Sequence, residues 1–190
     1  MHLLALVGLP GSGKSTVGRQ LARALSTGFV DSDKVIEEQI GCSIREFFER
    51  EGEDAFREVE AATIDRLTQS FQGVLATGGG SVVRAENRAA LRQRCQVVYL
   101  RSTPEELIRR LRHDGNRPLL HVGDPMLRLR ELLSLRDPLY RETAHFVVQT
   151  GRPSVTRLVN LVIEQLDAAG IVLDPTDLAV PPPTRLIPND

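Results

Sequence analysis

An α/β fold, assembled from βα units on a mostly parallel sheet, is what this 190-residue sequence predicts. Three observations point to it. Short apolar runs alternate with longer stretches of helical periodicity. A glycine-rich phosphate-binding motif sits where the first apolar run hands over to a helical pattern. Acidic and glycine clusters directly follow two of the other apolar runs, and the C-terminal ends of parallel strands are where ligands bind in open α/β sheets.

In chain order, Leu3–Val7 reads as the first strand and Ser15–Leu25 as the helix after it. The short run Phe29–Val30 is a second strand. Two helical stretches, Ser43–Arg50 and Asp54–Ser70, precede a third strand at Val74–Ala76. Ala85–Arg94 is helical and Val97–Leu100 a fourth strand. Thr103 is placed to cap a helix over Pro104–His113, with proline at the first helical position. A further helix over Pro125–Ser134, a fifth strand over Phe146–Val148 and a last helix over Ser154–Ala169 complete the pattern. Between two of the helices, Asp114–Asp124 breaks the periodicity with Gly, Asn and Pro and carries Arg117, as expected of a mobile lid over about residues 112–125. From Gly170 the composition turns proline-rich, with Pro175, Pro181–Pro183 and Pro188, which cannot continue a helix. The expected organisation is one domain over 1–169 and a proline-rich tail over 170–190.

Composition excludes several function classes. The 24 basic and 25 acidic side chains leave a net charge of −1, so no global field favours nucleic acid or an anionic membrane. No apolar run approaches the roughly 20 residues of a membrane span. The opening stretch His2–Val7 leads straight into a glycine loop rather than a signal-peptide pattern. Cys42 and Cys95 lack CxxC spacing and read as free thiols, and His2, His113, His121 and His145 lack metal-ligand spacing. A cytoplasmic protein that acts as a monomer is expected. Its lysines are Lys14 and Lys34 alone, yet one of them falls where a phosphate-binding loop requires it.

That loop is Gly8-Leu9-Pro10-Gly11-Ser12-Gly13-Lys14-Ser15, followed by Thr16, and it matches G-x-x-x-x-G-K-[ST]. Its glycines let backbone N–H groups of Gly11 to Thr16 converge on phosphate oxygens, and the helix that begins there adds its positive dipole end. Lys14 is placed to bridge the β- and γ-phosphates and Ser15 to ligate Mg²⁺. The motif establishes nucleotide binding. ATP is expected over GTP, because neither lysine sits in the N/T-K-x-D element of guanine-selective proteins.

An acceptor side follows. In Asp31-Ser32-Asp33, one carboxylate is expected to face Mg²⁺ through water and the other a substrate hydroxyl, as alternate residues of an extended segment do. Taken alone, the pair reads equally well as a helix cap beside a solvated loop residue. Thr77-Gly78-Gly79-Gly80-Ser81 follows the third strand and implies close approach of a ligand to the backbone. Arg57 and Arg136 are mute when taken singly. An ATP-binding regulatory module would need no such acceptor site.

Together these residues resemble the shikimate kinase family from Leu3 to about Leu166. The motifs are G-x-x-G-x-G-K-S-T at Gly8–Thr16, D-x-D at Asp31–Asp33, F-R-x-x-E at Phe56–Glu60, G-G-G at Gly78–Gly80, R-P-L-L at Arg117–Leu120 and R-x-P-L-Y at Arg136–Tyr140. The resemblance implies a three-layer α/β/α phosphate-loop kinase with a five-stranded parallel sheet and a mobile lid. It implies transfer of the ATP γ-phosphate, with Mg²⁺, to the 3-hydroxyl of shikimate in aromatic amino-acid biosynthesis. By the family pattern Asp33, Arg57, Gly78, Gly79, Gly80 and Arg136 hold shikimate, with Asp33 as base. Arg117 comes onto the phosphates from the lid, while Arg109, Arg152 and Pro153 lie near adenine. A gluconate-type kinase of the same fold is the alternative, although it is not expected to carry the D-x-D, F-R-x-x-E and R-x-P-L-Y set together. Guanidinium forks suit a carboxylate substrate better than lysine does.

Overall fold

The computed structural model describes residues 3–111, 124–151 and 154–171. Arg117, Arg152, Pro153, nearly all of the expected lid and the tail beyond Ile171 lie outside the described residues.

Five strands, β1 (Leu3–Val7), β2 (Phe29–Asp31), β3 (Val74–Ala76), β4 (Cys95–Arg101) and β5 (Phe146–Gln149), form one sheet in the order β2-β3-β1-β4-β5, every pair parallel. Strands buried on both faces should read as unbroken apolar runs, and all five residues of β1 are buried. Alternation splits them between two cores. Leu3, Ala5 and Val7 point to one face, beside Ile64, Leu67, Leu91, Leu107 and Tyr140. Leu4 and Leu6 point to the other, beside Val17, Leu21, Leu158, Val162 and Leu166.

The helices divide accordingly. α1 (Lys14–Ala24) and α7 (Val155–Ala168) cover one face. The second half of α3 (Ile44–Ser70), with α4 (Ala85–Arg94), α5 (Pro104–Leu111) and α6 (Pro125–Thr143), covers the other. α2 (Ser32–Ile40) packs on α3 beside the edge strand β2. The arrangement is the expected three-layer α/β/α sandwich.

Two local features, α2 and the length of α6, differ from the sequence expectation. α2 was not anticipated: Asp31 ends β2 and at once caps this helix, its Oδ1 accepting from the Asp33 N–H at 3.1 Å. α3 holds the two helical stretches expected on either side of residue 52 as its two arms, which Gly52, with a non-helical φ of 84° and ψ of 176°, separates by a kink. Its start at Ser43 is a reciprocal capping box with Glu46. α6 runs past Ser134 to Thr143 with Pro138 inside it. An interior proline costs a helix about 3 kcal/mol or more. Burial of Tyr140 and Thr143 and anchoring of Asp137 on β4 hold the second half in place. Cys42 and Cys95 are free thiols, and burial pushes Cys95 up to about 12.

Candidate active site

The phosphate loop joins β1 to α1 at the centre of the sheet. Gly8, Gly11 and Gly13 have φ of 148°, 82° and 95°, conformations that other residues adopt only with strain. Gly13 caps α1, which directs the first N–H groups of that helix into the loop. Buried Lys14 curls back and donates from Nζ to the carbonyls of Gly8 at 2.8 Å and Leu9 at 3.0 Å. Its charge is thus fixed inside the concavity rather than waving in solvent.

Beside the loop, the Ser15 hydroxyl donates to Asp31 Oδ2 at 2.6 Å. The two residues expected to serve a metal therefore lie together, and a hydroxyl at a phosphate loop beside a carboxylate that could hold a coordinated water suits Mg²⁺, which keeps waters and takes phosphate oxygens. The extended-segment argument for Asp31 and Asp33 does not hold. Asp33 is in the first turn of α2, and the helix cap, not strand alternation, separates the two carboxylates. Burial, with the neighbouring charge of Asp31, raises Asp33 from 3.8 to about 6, against the opposing pull of Lys14.

None of the glycines Gly78, Gly79 and Gly80 lies in the left-handed region; what they supply is room. A Cβ on Gly78 would stand 2.5 Å from Asp33 Oδ1 and 3.2 Å from Glu60 Oε1. One on Gly79 would stand 2.5 Å from Pro10 Cδ, and one on Gly80 would overlap the Arg57 guanidinium. The sequence expects a ligand to approach this backbone; the neighbours that crowd it are Asp33 and Glu60, Pro10 of the phosphate loop, and Arg57 in turn. The Gly78 N–H also donates to buried Ser32 Oγ at 3.0 Å, which ties β3 to the start of α2.

Arg57 is buried. It donates to Glu60 Oε2 at 2.7 Å and to Glu53 Oε1 at 3.0 Å. Glu60, itself buried, is raised by desolvation against the pull of Arg57, Arg136 and Arg84, so Arg57 and Arg136 both act on one carboxylate. Arg136 Nη1 donates to the Gly79 carbonyl at 3.2 Å.

A cleft of about 1020 Å³ joins these parts, lined by Gly11, Gly13, Lys14, Ser15, Thr16, Asp31, Asp33, Gly79 and Arg136. Arg57, Gly78 and Gly80 stand behind that lining rather than in it. Sequence reasoning missed the remaining walls. Ile44, Arg45, Phe48 and Glu49 come from the first turns of α3, and Arg128 and Leu132 from α6. Spacings of one turn along α6 (128, 132, 136) could have signalled the second group. Arg109 is exposed and does not line the cleft; the next residue, Arg110, does. One step along a helix turns a side chain by about 100°, and the phase of α5 aims Arg110 at Ser12 O and Thr150 O, each 3.2 Å away.

The family model for shikimate kinase matches residues 10–167. The chain belongs to the shikimate kinase family. A shikimate kinase from Paracidovorax citrulli is 59% identical over 169 residues, 87% of this chain and 92% of the relative. The structure of shikimate kinase from Acinetobacter baumannii in complex with shikimate superposes with a TM-score of 0.85 at 42% identity, covering 90% of this chain and 96% of its own. A gluconokinase from Sinorhizobium meliloti reaches a TM-score of 0.56 at 20% identity over 88% of this chain and 93% of its own, a likeness of fold alone. Membership of the shikimate kinase family thus separates this chain from the gluconate-type alternative that the fold by itself would allow.

Proposed function

We propose that this protein transfers the γ-phosphate of ATP to the 3-hydroxyl of shikimate, with residues 1–169 acting as one kinase domain. The observation that carries the reading is a single cleft holding the phosphate-loop cation Lys14, the carboxylate Asp33 and the guanidinium Arg136. It is supported by membership of a family of ATP-dependent kinases.

The amides of Gly11 to Thr16 and Lys14 hold the nucleotide phosphates. Arg110 and Arg152–Pro153 flank the adenine end, and Arg109 is set aside because it faces away from the cleft. Ser15, and Asp31 through water, hold Mg²⁺, which supplies charge neutralisation at the phosphates when bound. Arg136 and Arg57 take the acceptor carboxylate, Arg57 by giving up one of its carboxylate partners. Gly78–Gly80 set the floor against which the ring rests. Asp33 hydrogen-bonds the acceptor hydroxyl and takes its proton as the oxygen attacks phosphorus and the bond to the ADP oxygen breaks. With a folded-state value of about 6, Asp33 is ionised at neutral pH yet basic enough to accept that proton. Because such transition states are loose, fixed charge at Lys14 and Arg117 contributes more than proton abstraction does.

Among the described residues no helix is long and apolar enough to cross a membrane, and we propose that the enzyme works in the cytoplasm as a monomer. An ADP-release assay with shikimate, gluconate, quinate and AMP as acceptors tests the assignment. Turnover with shikimate alone, or with shikimate far above the rest, is expected. Comparable or faster turnover with gluconate or AMP would overturn it.

A further inference from the structure

We propose that Tyr140 is a positioning residue for the acceptor site, holding the Gly79 carbonyl and, through it, the guanidinium of Arg136. The inference rests on the reading of Arg136 as an acceptor-carboxylate ligand.

The Tyr140 hydroxyl donates to the Gly79 carbonyl at 2.5 Å. Arg136 Nη1 donates to the same oxygen. Residues four apart share a face of a helix, so α6 presents both donors to one acceptor on the loop after β3. That loop carries no side chain at Gly79 to brace it, and its carbonyl would otherwise be free to tilt. An oxygen pinned by a rigid phenol gives the longer, more mobile guanidinium, which lines the cleft, a fixed point.

Tyr140 is itself immobilised. It is wholly buried, and its ring stacks on Tyr99 of β4 at 4.8 Å between centroids and 29° between planes. Tyr99 donates in turn to Asp137 Oδ1 at 2.9 Å, and Asp137 also receives Arg101 at 3.2 Å and Arg141 at 2.6 Å. The residue after Arg136 and the residue one turn beyond it are therefore both tied to the central sheet, across the helix position that Pro138 weakens. Burial pushes the phenol upward, so it stays a donor over the whole working pH range.

The test is Tyr140→Phe, which keeps the ring and its stacking and removes the hydroxyl, alone and combined with Arg136→Ala. KM for shikimate and for ATP, kcat and melting temperature are measured for each. In Tyr140→Phe the shikimate KM should rise about 5- to 20-fold, the loss of one hydrogen bond to a half-buried carbonyl, while the ATP KM stays within about twofold. In the Arg136→Ala background the same change should raise shikimate KM by less than about twofold, because the group being positioned is gone. A wild-type shikimate KM in Tyr140→Phe, or an undiminished effect without Arg136, overturns the positioning role and leaves the arginine assignment standing. An unchanged shikimate KM in Arg136→Ala alone overturns the arginine assignment and this inference with it.

Discussion

Replacing Asp33 by asparagine should make the protein a far poorer catalyst and a more stable fold. In the folded chain the carboxyl is held at about 6, against an ordinary value of 3.8, by burial and by the charge of Asp31 beside it. A displacement of about two units at roughly 1.4 kcal/mol each means that the ionised group costs the native state ~3 kcal/mol at neutral pH. The cost grows as pH rises from about 4 to about 6, because the unfolded chain releases the Asp33 proton over that window while the folded chain retains it. Asparagine cannot ionise. It keeps some of the desolvation penalty, so a gain of about 1–2 kcal/mol is expected, or roughly 2–8 °C in melting temperature for a chain of this length. The gain should be present at about pH 7.5 and fade near pH 4, where wild-type Asp33 is already protonated. Turnover should fall by ~10²–10⁴ with loss of the acid–base group, and ATP binding should hardly change. In the wild type, kcat/KM for the acceptor should decline as pH falls through about 6, whereas the variant should lack that limb. Thermal melts at the two pH values and coupled ADP-release kinetics give every quantity. An asparagine variant that melts at or below wild type at pH 7.5 would refute the burial argument, and unaltered turnover would remove Asp33 from the chemistry.

Other substitutions probe the remaining parts. Gly80→Ala forces a methyl group into the Arg57 guanidinium; shikimate KM should rise at least tenfold with little change in ATP KM, read by initial rates, since the arginine must leave its place. Arg136→Ala should raise shikimate KM alone, and a rise in ATP KM instead would put this side chain on the nucleotide side. Arg117→Ala should lower kcat by ~10³ or more, the worth of an arginine over a transferring phosphoryl group. A change confined to melting temperature would disprove that role.

What the sequence disclosed follows from how local each signal is. The phosphate loop is specified by consecutive residues, so Gly8–Ser15 could be read with its flanking strand and helix, and β1, β3 and α4 have the expected limits. Asp31 defeated a local reading because one carboxylate both ends a strand and caps the next helix, and composition does not separate extended from capping geometry. The helix expected to end at Ser134 runs on to Thr143 because tertiary anchors on Asp137 and Tyr140 offset the cost of Pro138 inside it. Arg109 and Arg110 differ only in helical phase, which is set by the packing of Leu107 against the sheet. Ile44, Phe48, Arg128 and Leu132 become cleft walls only once two distant helices face each other, a relation no short window contains.

The strand order carries a consequence of its own. β1 stands in the middle, with β3 and β2 on one flank and β4 and β5 on the other. Turns following β3 and β2 present the triple glycine and the acidic pair, whereas Ser102 and Thr150, just past β4 and β5, reach Arg110. The sheet thereby sets the triple glycine and the acidic pair on one side of the phosphate loop and Arg110 on the other. Arg136, on α6 between β4 and β5 in the chain, reaches back to Gly79 beyond β3, so on the proposed reading an exchange of one alcohol for another would mean rebuilding both flanks.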